Sequence, residues 1–387
     1  MNFERDRVFW TISGQLAIVN FFLGGFGPAQ PLLRSEQHTS LTVAGLHGTA
    51  MGLASILAGF AAPRLVHTFG RANTAWLGLA IFSVGALGFV FLPPIQLTLF
   101  AILVAGFGTS MVINAMVSQL SHHFSARAAQ AISQAAGVGS LGYIFGTLTV
   151  GTIAGTSLSW RLGLIIVAPF ALLLYIFNRQ KIESGHLPQE AERQRGSLNR
   201  RFWFAWVGFV ACISSEFATT FWSAALLRDR TRASAAISTL CIVAFGIGMG
   251  AGRWFGPRVL RRFALDVQVK AMIALQILGF AALWSSHTIW LSLLALLTSG
   301  LGLAMQFAMI SMRLIGFSNG RPDLAIGQSS LGAGIAIAGA PFLLGLAGDH
   351  LGISRAFLMV PLLILVNFAM ILSVPSERIA EEISHEL

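Results

Sequence analysis

The sequence predicts an all-α membrane protein, with twelve transmembrane helices arranged as two parallel six-helix repeats. Three observations lead there. First, 55% of the 387 residues are apolar and only 10% are charged, where a soluble domain carries about 25%. So few charges cannot cover a water-soluble surface. That excludes a soluble enzyme, a disordered chain and a nucleic-acid-binding domain. Second, twelve apolar runs reach the roughly 20 residues needed to cross a bilayer. Third, the chain aligns with itself at one fixed offset.

The twelve spans fall at about 8–30, 41–63, 72–92, 96–118, 129–154, 160–178, 202–227, 235–257, 267–286, 288–312, 326–348 and 355–374. The first follows MNFERDRVFW, which has charges of both signs and no small-residue cleavage site. It reads as a retained span, too long for a signal-peptide core. Pro93-Pro94 makes a tight break between spans three and four. The long polar stretch RQKIESGHLPQEAERQRGSLNRR sits mid-chain. It divides a first bundle, 1–178, from a second, 201–387, with 179–200 as the linker. The net charge is +10. With the N-terminus inside, 19 of the 25 Lys and Arg fall on the inner side and 6 on the outer. That excess places both termini in the cytoplasm, and a bacterial inner membrane is the expected location. Cys212 and Cys241 both lie inside apolar runs, with no disulfide framework and no metal-ligand spacing. His122-His123 sits in a short polar loop without a neighbouring carboxylate or cysteine, so it reads as solvated and no metal or cofactor is expected.

Shifting the chain by 194 residues lays PRLVHTFG (63–70) on PRVLRRFA (257–264), AGFGTSM (105–111) on SGLGLAM (299–305), and AISQ (131–134) on AIGQ (325–328). Gly151 meets Gly345, and Arg161 meets Arg355. An offset of six spans preserves orientation, so the halves are parallel repeats about an axis along the membrane normal. Transporters built this way bind substrate near the midplane, between the halves.

Twelve spans, a central linker and a six-plus-six repeat resemble the major facilitator superfamily, and the resemblance covers the whole chain. The loop after span two in that family reads G-x-L-x-D-R-x-G-R. Here Leu65, Gly70 and Arg71 match, while His67 and Thr68 replace the acidic and the following basic position. Ser159-Trp160-Arg161 before span six is similar to the family as well, and Arg261-Arg262 belongs to a degenerate second copy of the loop. Span four lacks an arginine, and span five has no proline beside its glycines, which counts against the drug/proton antiporters. SSEFATTFWSAALLRD in span seven, together with Gly252-Arg253, resembles the fucose-permease-like, sugar-type branch. The resemblance implies alternating access, a monomer, and gating by cations of the inner loops: Arg64, its repeat-mate Arg258, and Arg71.

Of the 15 acidic residues, Glu216 alone lies well inside a span, near the middle of span seven. A carboxylate at the bilayer centre is costly and marks function by default. A group that loads and releases a proton is what proton-coupled transport requires. A structural hydrogen bond between helices is the alternative. No basic residue is expected at mid-span to pair with it, which favours a neutral or cationic solute. Asn20, near the middle of span one, reads as a substrate contact or an interhelical tie. Asn114 and Gln306 lie in the inner halves of spans four and ten. Tyr143, Phe26 and Trp222 are aromatic candidates for the cavity lining, with an interfacial anchor as the other reading of Trp222. His47 is a titratable candidate in span two, or merely a solvated one. Gln134 and its repeat-mate Gln328 suit gating.

The resulting expectation is a secondary active transporter for a small neutral or cationic solute, proton-coupled through Glu216. The alternative is an efflux carrier for amphipathic compounds. An enzyme would need paired catalytic groups at membrane depth, and no second carboxylate, GxSxG or HExxH is present.

Overall fold

A computed structural model describes residues 5–124, 128–178, 197–260 and 262–376. Most of the linker, residues 179–196, lies outside the described residues. So do Arg261 and the terminal segments 1–4 and 377–387. Every element among the described residues is helical. Twelve helical segments are long and apolar enough to cross a membrane: Arg7–Phe26, Leu41–Ala61, Arg71–Phe91, Ile95–Ser121, Gln130–Ile153, Trp160–Asn178, Arg200–Thr231, Ala235–Leu260, Leu265–Ser285, Ile289–Gly316, Leu324–Leu351 and Ile353–Ser373. They are numbered as spans one to twelve. The side where span one begins is called the linker face, and the opposite side the far face.

Local chemistry sets the span starts. Asp6, Ser40, Asn199, Ser234 and Thr288 each place a side-chain oxygen on a backbone N–H of the following first turn, satisfying donors that have no helical partner. Gly70 (φ 79°) and Gly352 (φ 80°) join span two to three and span eleven to twelve, turns that need a left-handed residue. Four spans are broken, the twelfth into Ile353–Ala356 and Met359–Ser373. Span six opens with a 3₁₀ turn, Trp160–Leu164. Span eight divides into Ala235–Cys241 and Val243–Leu260. Span ten divides into Ile289–Leu303 and Gln306–Gly316. Span one ends at Phe26, four residues before the expected 30, and a short helix, Gln30–Gln37, follows Pro28.

The 194-residue repeat is visible in the packing itself. Gly108 lies against Gly78 and Phe82, and Gly302 lies against Met272 and Gln276. Gly85 meets Ala105, as Gly279 meets Ser299. Every one of these pairs is offset by 194. These glycines let spans three and four, and spans nine and ten, approach backbone to backbone. The halves meet at glycines too: Gly52 of span two packs on the Ala338 backbone of span eleven, and Gly246 of span eight packs on the Tyr143 and Ile144 side chains of span five. By contrast, Gly142 and Gly146 face Ala17 and Phe21 of span one, inside the first half.

Toward the far face the halves are closed. The Asp349 carboxylate of span eleven accepts from the Leu41 N–H (2.9 Å), the Thr42 N–H (2.8 Å) and the Thr42 hydroxyl (2.6 Å) at the start of span two. The Thr239 hydroxyl donates to the Pro28 carbonyl at 3.2 Å. Phe26 of span one meets Phe221 of span seven edge to face, with ring centroids 5.6 Å apart. Toward the linker face, spans two and eleven touch as far as Ile56 and Gly334. Gly59 and Gly327 have no atom within 4 Å of where a Cβ would stand.

Candidate functional site

A cavity lies between the halves, on the linker side of the Phe26–Phe221 contact. Its free space is about 80 Å³, well under the ~300–1,000 Å³ of pockets that take drug-sized ligands. Its polar lining comes from Asn20 (span one), Ser140 and Tyr143 (span five), Glu216 and Thr220 (span seven) and Arg253 (span eight). Its apolar lining includes Leu23, Phe26, Met51, Phe217, Phe221 and Met249.

Glu216 is the centre of this set. Its side chain is 20% exposed, and the only exposure available at that depth is the cavity. It accepts no hydrogen bond from any described residue. The Arg253 guanidinium faces it, with Nη2 3.9 Å from Oε1, beyond hydrogen-bonding reach. The rest of Arg253 is held. Its Nε donates to the Ala304 carbonyl (3.4 Å), which the break in span ten leaves without a helical partner, and its Nη1 donates to the Ser140 hydroxyl (3.1 Å). Its own carbonyl accepts from Ser133 at 3.0 Å. Arg253 therefore ties span five of one half to spans eight and ten of the other.

The expectation that no cation stands near Glu216 is corrected here. Span eight was expected to end at 257, which left Arg253 in its last turn, but the helix runs on to Leu260. Seven residues of helix then separate Arg253 from that end, about 10 Å.

The other predicted residues divide. Asn20, Tyr143 and Phe26 join Glu216 in the cavity wall. The Asn20 amide donates to Leu16 of its own helix (2.9 Å), and the buried Tyr143 hydroxyl has no partner in hydrogen-bond geometry. Asn114, Trp222, His47 and Gln306 were expected to line the cavity, and they do not. Trp222 is fully buried and donates to the Pro341 carbonyl at 2.8 Å, so it is a tie to span eleven and not an interfacial anchor. His47, also fully buried, sits between the Ala44 carbonyl (3.1 Å) and the Thr98 hydroxyl (3.0 Å), and is not solvated.

Gln306 begins the second segment of span ten, and the break turns it inward. It donates to Gln276 (2.7 Å) and accepts from Asn367 (3.0 Å), within a network that Ser215 completes through Gln276. Replacing Gln306 with Leu orphans the Gln276 oxygen and the Asn367 amide. The expected cost is about 1–3 kcal/mol of stability, with solute affinity unchanged. A binding titration beside a melting curve checks both, and a lost affinity at unchanged melting would restore Gln306 to the site.

Of the gating candidates, Gln134 accepts from Arg5 (2.9 Å) within its own half. Gln328 touches the second half through its backbone, which accepts from Trp206 (2.8 Å). Arg64 and Arg258 are exposed. The Arg71 carbonyl accepts from Gln119 (3.1 Å). None of these five spans the two halves in this conformer.

Comparison with known proteins follows the same lines. A family model described as Major Facilitator Superfamily matches residues 12–321. A crystal structure of a mutant of the nucleoside transporter NupG superposes with a TM-score of 0.74, at 14% sequence identity, over 93% of this chain and 99% of that one. At that identity the likeness concerns the fold alone. Comparison by sequence with curated proteins finds no match. Twelve apolar spans, a doubled six-helix architecture and the family match agree: this is an integral, multi-pass membrane transport protein, and the chain belongs to the Major Facilitator Superfamily.

Proposed function

We propose that the protein is a secondary active transporter for a small solute, coupled to protons through Glu216. The carrying observation is a mid-span carboxylate that accepts no hydrogen bond from the described residues and faces a cavity between two repeat-related halves. A carboxylate at this depth binds a proton or a partner, and alternating access exposes it to one side of the membrane at a time. In this reading 1–178 and 201–387 move as bodies joined by the 179–200 linker. Both termini are cytoplasmic, the membrane is a bacterial inner membrane, and the monomer is the working unit. No enzymatic chemistry is assigned.

Sequence alone favoured a neutral or cationic solute. Arg253 beside Glu216 narrows this to a neutral one, because each charge repels a solute of its own sign.

The test is Glu216→Gln in proteoliposomes. The variant is expected to exchange solute across the membrane while losing uptake against a gradient. It should also lose the dependence of uptake on an imposed pH difference. A variant that still concentrates solute would overturn the coupling.

A second reading, efflux of amphipathic compounds, draws on the Phe- and Met-rich lining. It predicts a changed drug-sensitivity profile in cells that lack the protein. The small cavity of this conformer favours the first.

A further inference from the structure

Resting on the reading of a neutral solute, we infer that the solute is a single-ring lactam or ureide, whose adjacent N–H and C=O bridge Glu216 and Arg253 while its ring lies toward the Phe26–Phe221 contact.

The two charged groups define one end of the cavity. They are 3.9 Å apart and share no hydrogen bond, though both are withdrawn from bulk water. Opposite charges in that setting are costly unless further hydrogen bonds complete them. The carboxylate offers only acceptors. The Arg253 Nη2, the corner of the guanidinium not held by Ala304 or Ser140, offers only donors. A ligand that satisfies both must carry a donor next to an acceptor. It must carry no net charge, since an anion meets Glu216 and a cation meets Arg253, and a zwitterion would bring two more full charges into a site with few hydrogen bonds to complete them. The Tyr143 hydroxyl, with the Thr220 hydroxyl beside it on the same wall, can serve a second polar atom of the ring.

The opposite end disfavours polyols. Phe221 lies five residues past Glu216 on span seven, about 7.5 Å toward the far face. Phe26 lies six residues past Asn20 on span one, about 9 Å. Met51 and Met249 add further apolar lining. A vicinal diol also pairs a donor with an acceptor, but beyond Thr220 and Asn20 the remaining hydroxyls of a sugar would be buried against these side chains without partners, which is unfavourable. The flat face of a small ring suits them.

Thermal-shift and equilibrium-binding titrations on the full-length protein in detergent test this. The probes are 2-pyridone, uracil, N-methyl-2-pyridone, glucose and tetraphenylphosphonium. 2-Pyridone and uracil are expected to bind and raise the melting temperature. N-methylation, which removes the donor and keeps the ring, is expected to weaken binding at least about tenfold (~1.4 kcal/mol). Glu216→Gln weakens binding less than Glu216→Leu does, because the amide oxygen still accepts but the hydrogen bond is no longer charge-assisted. Glu216→Leu and Arg253→Met each lose at least about tenfold. The methylated probe acts on the unmodified protein, so its result does not depend on a variant folding.

Equal binding of 2-pyridone and its N-methyl analogue overturns the inference. So does binding of glucose or tetraphenylphosphonium with none of the lactams, or no binding by any probe. These results leave proton coupling standing. Conversely, a Glu216→Gln protein that concentrates solute overturns the coupling and leaves lactam recognition intact.

Discussion

Replacing Arg313 with methionine is expected to lower the stability of the folded chain by about 3–5 kcal/mol. Arg313, on span ten, is 2% exposed, and so is Asp266 at the start of span nine. Nη1 of Arg313 is paired with Asp266, and Nη2 donates to the Val374 carbonyl. Asp266 also accepts from the Ser376 N–H (2.8 Å) and hydroxyl (2.6 Å). The cluster pins spans nine, ten and twelve together. Methionine fills most of the volume but leaves a buried carboxylate with Ser376 as its one partner, and an uncompensated buried charge is the expensive outcome. The repeat supplies the control. Shifted by 194, Asp266 and Arg313 fall on Ala72 and Gln119, and there a single hydrogen bond from Gln119 to the Arg71 carbonyl does the same work without charges. Asp266→Ala combined with Arg313→Gln should therefore recover much of what Arg313→Met loses. Melting of the purified variants measures both. Equal melting of Arg313→Met and the parent would show that the pair carries no such burden.

Gly52→Leu is expected to disfavour the conformer described above by about 1–3 kcal/mol, a five- to 150-fold change in its population. A Cβ at Gly52 would overlap the Ala338 nitrogen and the Gly334 carbonyl oxygen of span eleven. Backbone atoms cannot turn aside as a side chain can, so spans two and eleven must separate. Uptake should fall by a similar factor. Spin labels on the far-face ends of the two spans should report a longer distance. Gly59→Leu, seven residues along the same helix and facing open space, is the matched control. If the two variants behave alike, span separation is not what the substitution does.

Much of the architecture was legible because hydropathy reports directly on lipid exposure. All twelve spans lie where the apolar runs put them, and the internal repeat reappears as glycine contacts at the same offset. The breaks in spans six, eight, ten and twelve were not legible. The run through Leu303 and Met305 is as apolar as an unbroken helix, and hydropathy does not register which carbonyl has lost its partner. That blind spot carried into the site. The break in span ten rotates Gln306 away from the cavity and frees the Ala304 carbonyl for Arg253. Arg253 was misplaced for a related reason: a basic residue near the end of an apolar run looks like the end of the helix. Glu216, Asn20, Tyr143 and Phe26 were within reach of sequence reasoning, since a polar or aromatic residue at mid-span has few places to face. Trp222 was not, because indoles are suited both to interfaces and to buried ties between helices.

The contact of Phe26 with Phe221 also has an electrical side. Both rings are essentially buried, at 0% and 1% exposure, and they stand between Glu216 and the far face. An apolar seal of this kind holds no water chain along which a proton could hop. Part of the membrane potential then falls across that dry layer, on the far-face side of the Glu216 carboxyl. Moving one unit charge through the full potential is worth about 2.3 kcal/mol per 100 mV. Under the proposed coupling, voltage acts on the step that transfers the seal to the other side of Glu216.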